Sequence, residues 1–308
     1  MKYISNTLEF KIEENTVITL GKFDGLHRGH ELLVETLQEV KCEHGYQTVI
    51  FTFDIPPKPN MDPKDAKVIT TNEEKRIIFE EAHIDYLVEC PFTKEVMSME
   101  PAEFVRWIVK SLSVKCIVVG KDFHFGYQRR GDYHLLQSLE DELGYKTIVH
   151  EKIQEDEKDI SSTFVREEIS KGNFEKANHL LGYEFFAKSM VIHGNEIGRT
   201  LGFPTINMQL APEKLLPPNG VYVTRVYVGE KWYQGVSNVG VKPTIKGEYP
   251  VGVETYILDF CQDVYGQVVT VCFLHKLRDE MKFSSIEDLK NQMQKDIIQT
   301  QKYYKNIT

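Results

Sequence analysis

An apolar, largely β-branched run, Thr16-Val17-Ile18-Thr19-Leu20, leads straight into Gly21-Lys22-Phe23-Asp24-Gly25-Leu26-His27-Arg28-Gly29-His30. Leu32, Leu33 and Leu37 follow at helical spacing, so the junction reads as a strand, a glycine turn and a helix opening near Gly29-His30. His27 and His30 then stand on the first turn, where unpaired N–H groups and the positive end of the helix dipole face one spot. Phosphate is the natural guest there. Gly21, Gly25 and Gly29 let the backbone turn tightly and approach a ligand closely, and an imidazole can donate to a phosphate oxygen near neutral pH. The plain alternative, for a motif this short, is a helix cap with incidental histidines.

Up to about Leu181 short apolar runs alternate with amphipathic stretches. Strands are predicted at Val17 to Leu20, Thr48 to Phe53, Tyr86 to Val88, Cys116 to Val119 and Thr147 to Val149. Helices are predicted after His30, behind the capping box Thr71-Asn72-Glu73-Glu74 with Ile77, Ile78 and Ala82, and around Phe104 to Val109. This is the pattern of a parallel α/β sheet, whose ligands bind beyond the carboxyl ends of the strands, where Gly21 and Gly120 fall.

After Gly182 the texture changes to antiparallel β. Ser189 to Ile192, Val221 to Val228, Trp232 to Ser237, Val251 to Phe260 and Val268 to Leu274 read as strands of a barrel. A last helix is expected behind the capping box Ser284-Ser285-Ile286-Glu287, with Ile286, Leu289, Met293 and Ile297 on one face. Two domains follow, residues 1–182 and 183–308. The acidic Glu155-Asp156-Glu157-Lys158-Asp159 reads as a solvated loop, and Trp107, the Phe185-Phe186 pair and Tyr303-Tyr304 as packing residues.

The formal net charge of −9 argues against a general nucleic-acid or acidic-membrane surface. No apolar stretch approaches a membrane span, and the N-terminus lacks a signal-type apolar run. Five scattered cysteines without a Cys-x-x-Cys spacing point to reduced thiols in a cytoplasmic protein. Partners are expected to be small molecules, with self-association left open.

With the decapeptide and the two-part layout in hand, the chain resembles the bacterial bifunctional riboflavin kinase/FMN adenylyltransferase family over nearly its whole length. The resemblance implies a Rossmann-like nucleotidyltransferase domain that joins FMN to the AMP part of ATP, followed by a β-barrel that phosphorylates riboflavin. Gly21 to His30 fit the first family signature, Gly-x-Phe-Asp-Gly-x-His-x-Gly-His, at every fixed position. Gly120-Lys121-Asp122-Phe123-His124-Phe125-Gly126, with Gly131 beyond, fits the second, in which Asp122 contacts substrate. Ile160-Ser161-Ser162-Thr163-Phe164-Val165-Arg166 fits the third, a triphosphate cradle of hydroxyls and an arginine at a helix start. Taken alone, Ser161 to Thr163 would be a plain N-cap.

The resemblance therefore implies that Gly21, Lys22, Phe23, Asp24, Gly25, His27, Gly29, His30, Asp122, Ser161, Ser162, Thr163 and Arg166 form the adenylyltransferase site. One departure stands out. Where the family reads Thr-Phe-Asp/Glu-Pro-His-Pro, this chain reads Thr52-Phe53-Asp54-Ile55-Pro56-Pro57-Lys58, without the histidine.

In the second half, Gly198-Arg199-Thr200-Leu201-Gly202-Phe203-Pro204-Thr205-Ile206-Asn207 resembles the kinase signature around Pro-Thr-Ala-Asn. It implies Mg²⁺ on Thr205 and Asn207, and ATP phosphates held near Gly194, Arg199, Gly202 and Pro204. Oxygen ligands two residues apart suit that ion, although Thr-x-Asn in a turn is ordinarily a local hydrogen-bonding pair. Gly235 to Thr244 also resembles the family, and Glu254 falls on its catalytic-base strand. The apolar neighbours Val251, Val253, Ile257, Leu258 and Phe260 make a carboxylate there conspicuous, against the plain reading of a solvated barrel-edge glutamate.

Two other functions compete. One is another paired-histidine adenylyltransferase, acting on pantetheine phosphate or nicotinamide mononucleotide, against which Thr205, Asn207 and Glu254 argue. The other is a flavin-binding regulatory protein that retains the folds with one or both activities weakened.

Overall fold

The computed structural model describes residues 1–54, 67–194, 198, 201–241 and 251–307. Contacts divide the chain into two compact units: Met1–Ala66 with Thr70–Ser162, and Lys67–Ile69 with Thr163–Thr308.

The first unit strings together β1 (Lys2–Ser5), β2 (Thr16–Leu20), α1 (Arg28–His44), β3 (Gln47–Asp54), α2 (Asn72–Glu81), β4 (Tyr86–Pro91), α3 (Lys94–Met97) and α4 (Pro101–Leu112). It continues with β5 (Val114–Gly120), α5 (Tyr133–Ser138), α6 (Glu140–Leu143), β6 (Lys146–His150), β7 (Gln154–Glu155) and β8 (Lys158–Asp159). Six strands form one sheet in the order β1-β4-β3-β2-β5-β6, and every neighbouring pair is parallel. From β2 the chain winds one way through β3 and β4, then returns to β5 on the other side of β2 and proceeds to β6. The order therefore reverses between β2 and β5, the point where sheets of this kind bind ligands.

All five residues of β2 are buried, as a strand covered on both faces requires. On one face Ile18, Val49, Phe51, Val88 and Ile117 pack with Phe104, Val105 and Ile108 of α4. Phe51 is 1% exposed and meets Phe10, Phe104 and Trp107 edge-on. Burying a side chain of that size stabilises by about 1.5–3 kcal/mol. The expected strands and helices are all present. The Thr71 capping box closes as expected: the Thr71 hydroxyl accepts from Glu74 N and the Glu74 carboxylate accepts from Thr71 N. One expectation is corrected: the acidic stretch, read as a solvated loop, is a hairpin, β7 pairing β8 around Asp156 and Glu157, both at positive φ. The edge strand β1 lies outside the strands read from the sequence.

The second unit carries α7 (Ser162–Lys171), α8 (Phe174–Leu181), β9 (Phe186–Ile192), β10 (Thr205–Met208), β11 (Gly220–Val228), β12 (Lys231–Val241), β13 (Val251–Ile257), β14 (Val268–Arg278) and α9 (Ile286–Ile307). Its strands close a barrel in the order β10-β13-β12-β11-β14-β9, antiparallel throughout. Closure leaves no sheet edge. The sequence predicted five of these strands; the sixth, β10, is the Thr205-Ile206-Asn207 signature itself. At four residues behind a proline it is too short to show an alternating pattern. The α9 cap also differs by one residue, since Ser285 Oγ accepts from Asp288 N. Among its apolar residues, Leu289, Met293 and Ile297 face a cavity while Ile286 is exposed.

Candidate active sites

In the first unit β2 delivers the chain to Gly21 at the reversal point. From there the backbone bends through uncommon conformations, with positive φ at Phe23 (48°), Gly25 (83°) and Leu26 (32°). Such a conformation at a bulky residue costs on the order of 1–3 kcal/mol and persists only where the surroundings impose it, most often at functional sites. The surroundings are visible: Phe23 to His27 are buried, Gly25 N donates to Thr70 Oγ1 at 3.1 Å, and Thr70 N donates to Asp24 Oδ1 at 3.4 Å. His27 is the N-cap residue of α1, and its own side chain makes no capping hydrogen bond.

The two imidazoles stack, ring centroids 3.9 Å apart and 22° from parallel, with Phe23 against His30 at 5.1 Å. Both Nδ1 atoms are buried without a hydrogen-bond partner among the described residues. Burial pushes His27 down to about 4 and His30 well below its ordinary value. Both rings are thus neutral at pH 7. A neutral imidazole still donates one N–H, and two buried nitrogens without partners cost energy unless a ligand meets them.

Parts of the other two signatures that belong to the same unit reach this point. Ser162 Oγ donates to the Asp24 carbonyl at 2.7 Å, and Ile160 O lies 3.7 Å from the position a Cβ on Gly29 would take. Asp122 lies close enough for its charge to act on His27. It is otherwise exposed and ion-paired with Lys152 at 3.2 Å. Gly120 ends β5 beside it, and Lys22 is exposed. Ser161 precedes α7, while Thr163 and Arg166 lie on its first two turns and group with the second unit. Ile55 to Lys58, where the family histidine is missing, lie outside the described residues. Sequence reasoning missed Thr70 and Lys75. Lys75 is only 7% exposed on the first turn of α2; a lysine on the buried side of an amphipathic helix was the available signal.

In the barrel, β10 sits between β9 and β13, and register sets Asn207 opposite Glu254, which faces Asn238 on its other side. Thr205 Oγ1 donates to Glu254 Oε1 at 2.5 Å. Thr205 and Asn207, two apart on a strand, share a face. A Cβ added at Gly194 would fall 2.2 Å from Asn207 Nδ2, so a larger residue here would have to displace the Asn207 amide. Two cavities flank the strand. One, about 270 Å³, is lined by Thr205, Asn238, Glu254 and Tyr256 and by Met293 of α9. The other, about 350 Å³, is lined by Pro204, Thr205, Ile206, Phe260 and Tyr265. Thr205 borders both. Gly202 is at φ 87° in the loop before β10; Arg199 and residues 242–244 lie outside the described residues.

Residues 9–164 match the FAD synthetase family and residues 181–304 the riboflavin kinase family. The bifunctional riboflavin kinase/FMN adenylyltransferase of Bacillus subtilis is 34% identical over 96% of this chain and 94% of its own length. The Escherichia coli K12 protein of the same description is 35% identical over 95% and 94%.

The chain belongs to the bifunctional riboflavin kinase/FMN adenylyltransferase family.

A crystal structure from Streptococcus pneumoniae described as a macrolide-efflux protein superposes with a TM-score of 0.87 at 30% identity, covering 97% of this chain and 98% of that one. That likeness covers both units. Among the described residues no helix is long and apolar enough to cross a membrane. Family membership and the strand order together support the Rossmann-like unit followed by a kinase barrel. The buried thiols are not candidate nucleophiles, since burial pushes Cys90 up to about 12 and Cys116 to about 11.

Proposed function

We propose that this protein phosphorylates riboflavin to FMN in its barrel and adenylylates FMN to FAD, releasing pyrophosphate, in its α/β unit. The observation that carries the kinase half is the Thr205–Glu254 hydrogen bond between two cavities that share Thr205. A phosphoryl donor and a hydroxyl acceptor entering from opposite sides would meet at that residue. The more apolar cavity beside Glu254 suits the flavin ring system, and the other suits ATP. Glu254 is the base that takes the proton of the ribityl terminal hydroxyl as that oxygen attacks the γ-phosphorus and ADP departs with the bridging oxygen. Phosphoryl transfer asks mainly for positioning and charge neutralisation, which so small a residue set can supply.

Thr205 and Asn207 would hold Mg²⁺. The donor set fits: both offer oxygen, they share a strand face, and Gly194 keeps the approach to Asn207 open. Bound there, the ion would neutralise phosphate charge. Gly194, Arg199, Gly202 and Pro204 would shape the channel for the nucleotide phosphates.

In the α/β unit an FMN phosphate oxygen attacks the α-phosphorus of ATP and pyrophosphate departs. Phosphate is already a competent nucleophile near neutral pH, so no general base is assigned. His27 and His30 would donate N–H groups to the phosphates as charge develops, with Ser161, Ser162, Thr163 and Arg166 supplying further donors and Asp122 contacting substrate. Gly21, Lys22, Phe23, Asp24, Gly25 and Gly29 build the turn that receives the nucleotide. We assign the kinase function to residues 183–308, the adenylyltransferase function to 1–182, and the protein to the cytoplasm.

The test is to incubate the purified chain with riboflavin, ATP and Mg²⁺ and separate the flavins over time. FMN should appear first and FAD later. Unchanged riboflavin would refute the kinase assignment, and FMN that never becomes FAD would refute the adenylyltransferase.

A further inference from the structure

Burial keeps both imidazoles of the α/β site neutral at pH 7, and three carboxylates, Asp24, Asp54 at the end of β3 and Glu89 on β4, stand close enough to act on one lysine. That lysine is Lys75, buried on α2, whose Phe79 meets Phe23 of the decapeptide edge-on at 5.7 Å and whose preceding Thr70 accepts from Gly25 N at 3.1 Å. Its charge acts on His30, and it feels Asp24, Glu89, Asp54 and Lys22 in turn. Burial holds the Lys75 ammonium below its ordinary value. Yet among the described residues no carboxylate oxygen comes within ion-pairing distance, and its hydrogen bond is a long one, 3.4 Å to Asn72 Oδ1. An ammonium group withdrawn from water without a close counter-charge is costly to maintain. An arriving anion would offset that cost, and the neighbouring decapeptide is shaped for one.

We propose that the Lys75 ammonium binds phosphate oxygens in the adenylyl-transfer site. The inference rests on the adenylyltransferase reading of this unit. The shared chemistry is a phosphate oxygen with two candidate sources: the polyphosphate of ATP, which leaves as pyrophosphate, and the phosphate of FMN. As a point charge on a flexible stem, lysine suits either.

The experiment is steady-state FAD formation by the full chain with Lys75→Gln. Three constants are read: KM for ATP, KM for FMN and the inhibition constant of added pyrophosphate. A charge-assisted contact to phosphate is worth about a tenfold to a hundredfold change in binding. If Lys75 meets the polyphosphate, KM for ATP and the pyrophosphate constant rise by that factor while KM for FMN stays within about twofold. If it meets the flavin phosphate, only KM for FMN rises. Lys75→Arg should recover much of the loss, and riboflavin phosphorylation should not change. Should Lys75→Gln fail to fold, Lys75→Met, which keeps the apolar stem, carries the same comparison. The proposal is overturned if all three constants hold, or if both substrates weaken equally along with thermal stability, the signature of a merely structural lysine. Wild-type protein that makes no FAD removes the underlying reading as well; an active wild type beside an unaltered variant removes Lys75 alone.

Discussion

The histidine pair makes a sharp prediction about acid. His27 is 7% exposed, and burial lowers it from 6.5 to about 4. The folded first unit therefore favours the neutral ring, whereas the unfolded chain takes up a proton near pH 6.5. The stability this contributes is present in full above pH 6.5, falls as pH drops through that value, and is gone below about 4. At about 1.36 kcal/mol per pH unit the interval is worth roughly 3 kcal/mol. His30 shifts the same way and adds to the loss. The two tryptophans make the measurement unit-specific, because Trp107 packs against Phe10, Phe51 and Phe104 in the first unit while Trp232 belongs to the barrel and is 47% exposed. In a Trp232→Phe background, urea unfolding followed by Trp107 fluorescence should lose stability between pH 6.5 and 4.5. His27→Gln in that background should lose about 2–3 kcal/mol less over the same range. Parallel pH curves for the two proteins, or an NMR titration placing the His27 imidazole at an ordinary midpoint, would refute the buried-neutral account.

Other expectations follow from single contacts. Glu254→Gln should reduce FMN formation by at least about a hundredfold, the scale of a lost general base, with the barrel's circular dichroism intact; near-normal turnover would remove Glu254 from that role. His30→Ala should abolish FAD formation and spare riboflavin phosphorylation, and loss of both in a folded variant would contradict their assignment to separate units. Gly194→Ala places a methyl group 2.2 Å from Asn207 Nδ2, so riboflavin kinase activity should drop sharply while FAD formation from supplied FMN continues. Gly126→Ala sets a side chain at φ 71° and 2.7 Å from Pro101; the first unit should lose about 1–3 kcal/mol, read from the Trp107 transition.

The α/β half was largely legible because its information is local. Buried parallel strands declare themselves as continuous apolar runs, and Gly21 to His30 encode turn, cap and ligand-facing groups within ten residues. The approach of Ser162 to Asp24 joins positions 138 apart and had no local sign beyond the hydroxyl run. Thr70 and Lys75 were hidden for a related reason. A threonine before a capping box carries no sign of its own, and the one sign Lys75 gives, its place on the buried side of α2, gains meaning only when the sheet brings α2 against the β2 turn. In the barrel the long strands showed themselves, whereas β10 is held by its neighbours rather than by its own four residues. The acidic hairpin was misread because two-residue strands carry no period. Ser285 rather than Ser284 caps α9 because adjacent serines offer two frames, and the hydrogen bond to Asp288 N selects between them.

The brevity of β10 has a consequence for how the barrel could fail. Side-chain direction alternates at every step, so a slip of one position would swing Thr205 and Asn207 away from Glu254 together. Neither chamber would survive such a slip by itself, since the same threonine walls both. Damage to this ribbon should thus extinguish recognition of vitamin and nucleotide at one stroke, whereas lesions elsewhere around the cylinder can blunt one and leave the other.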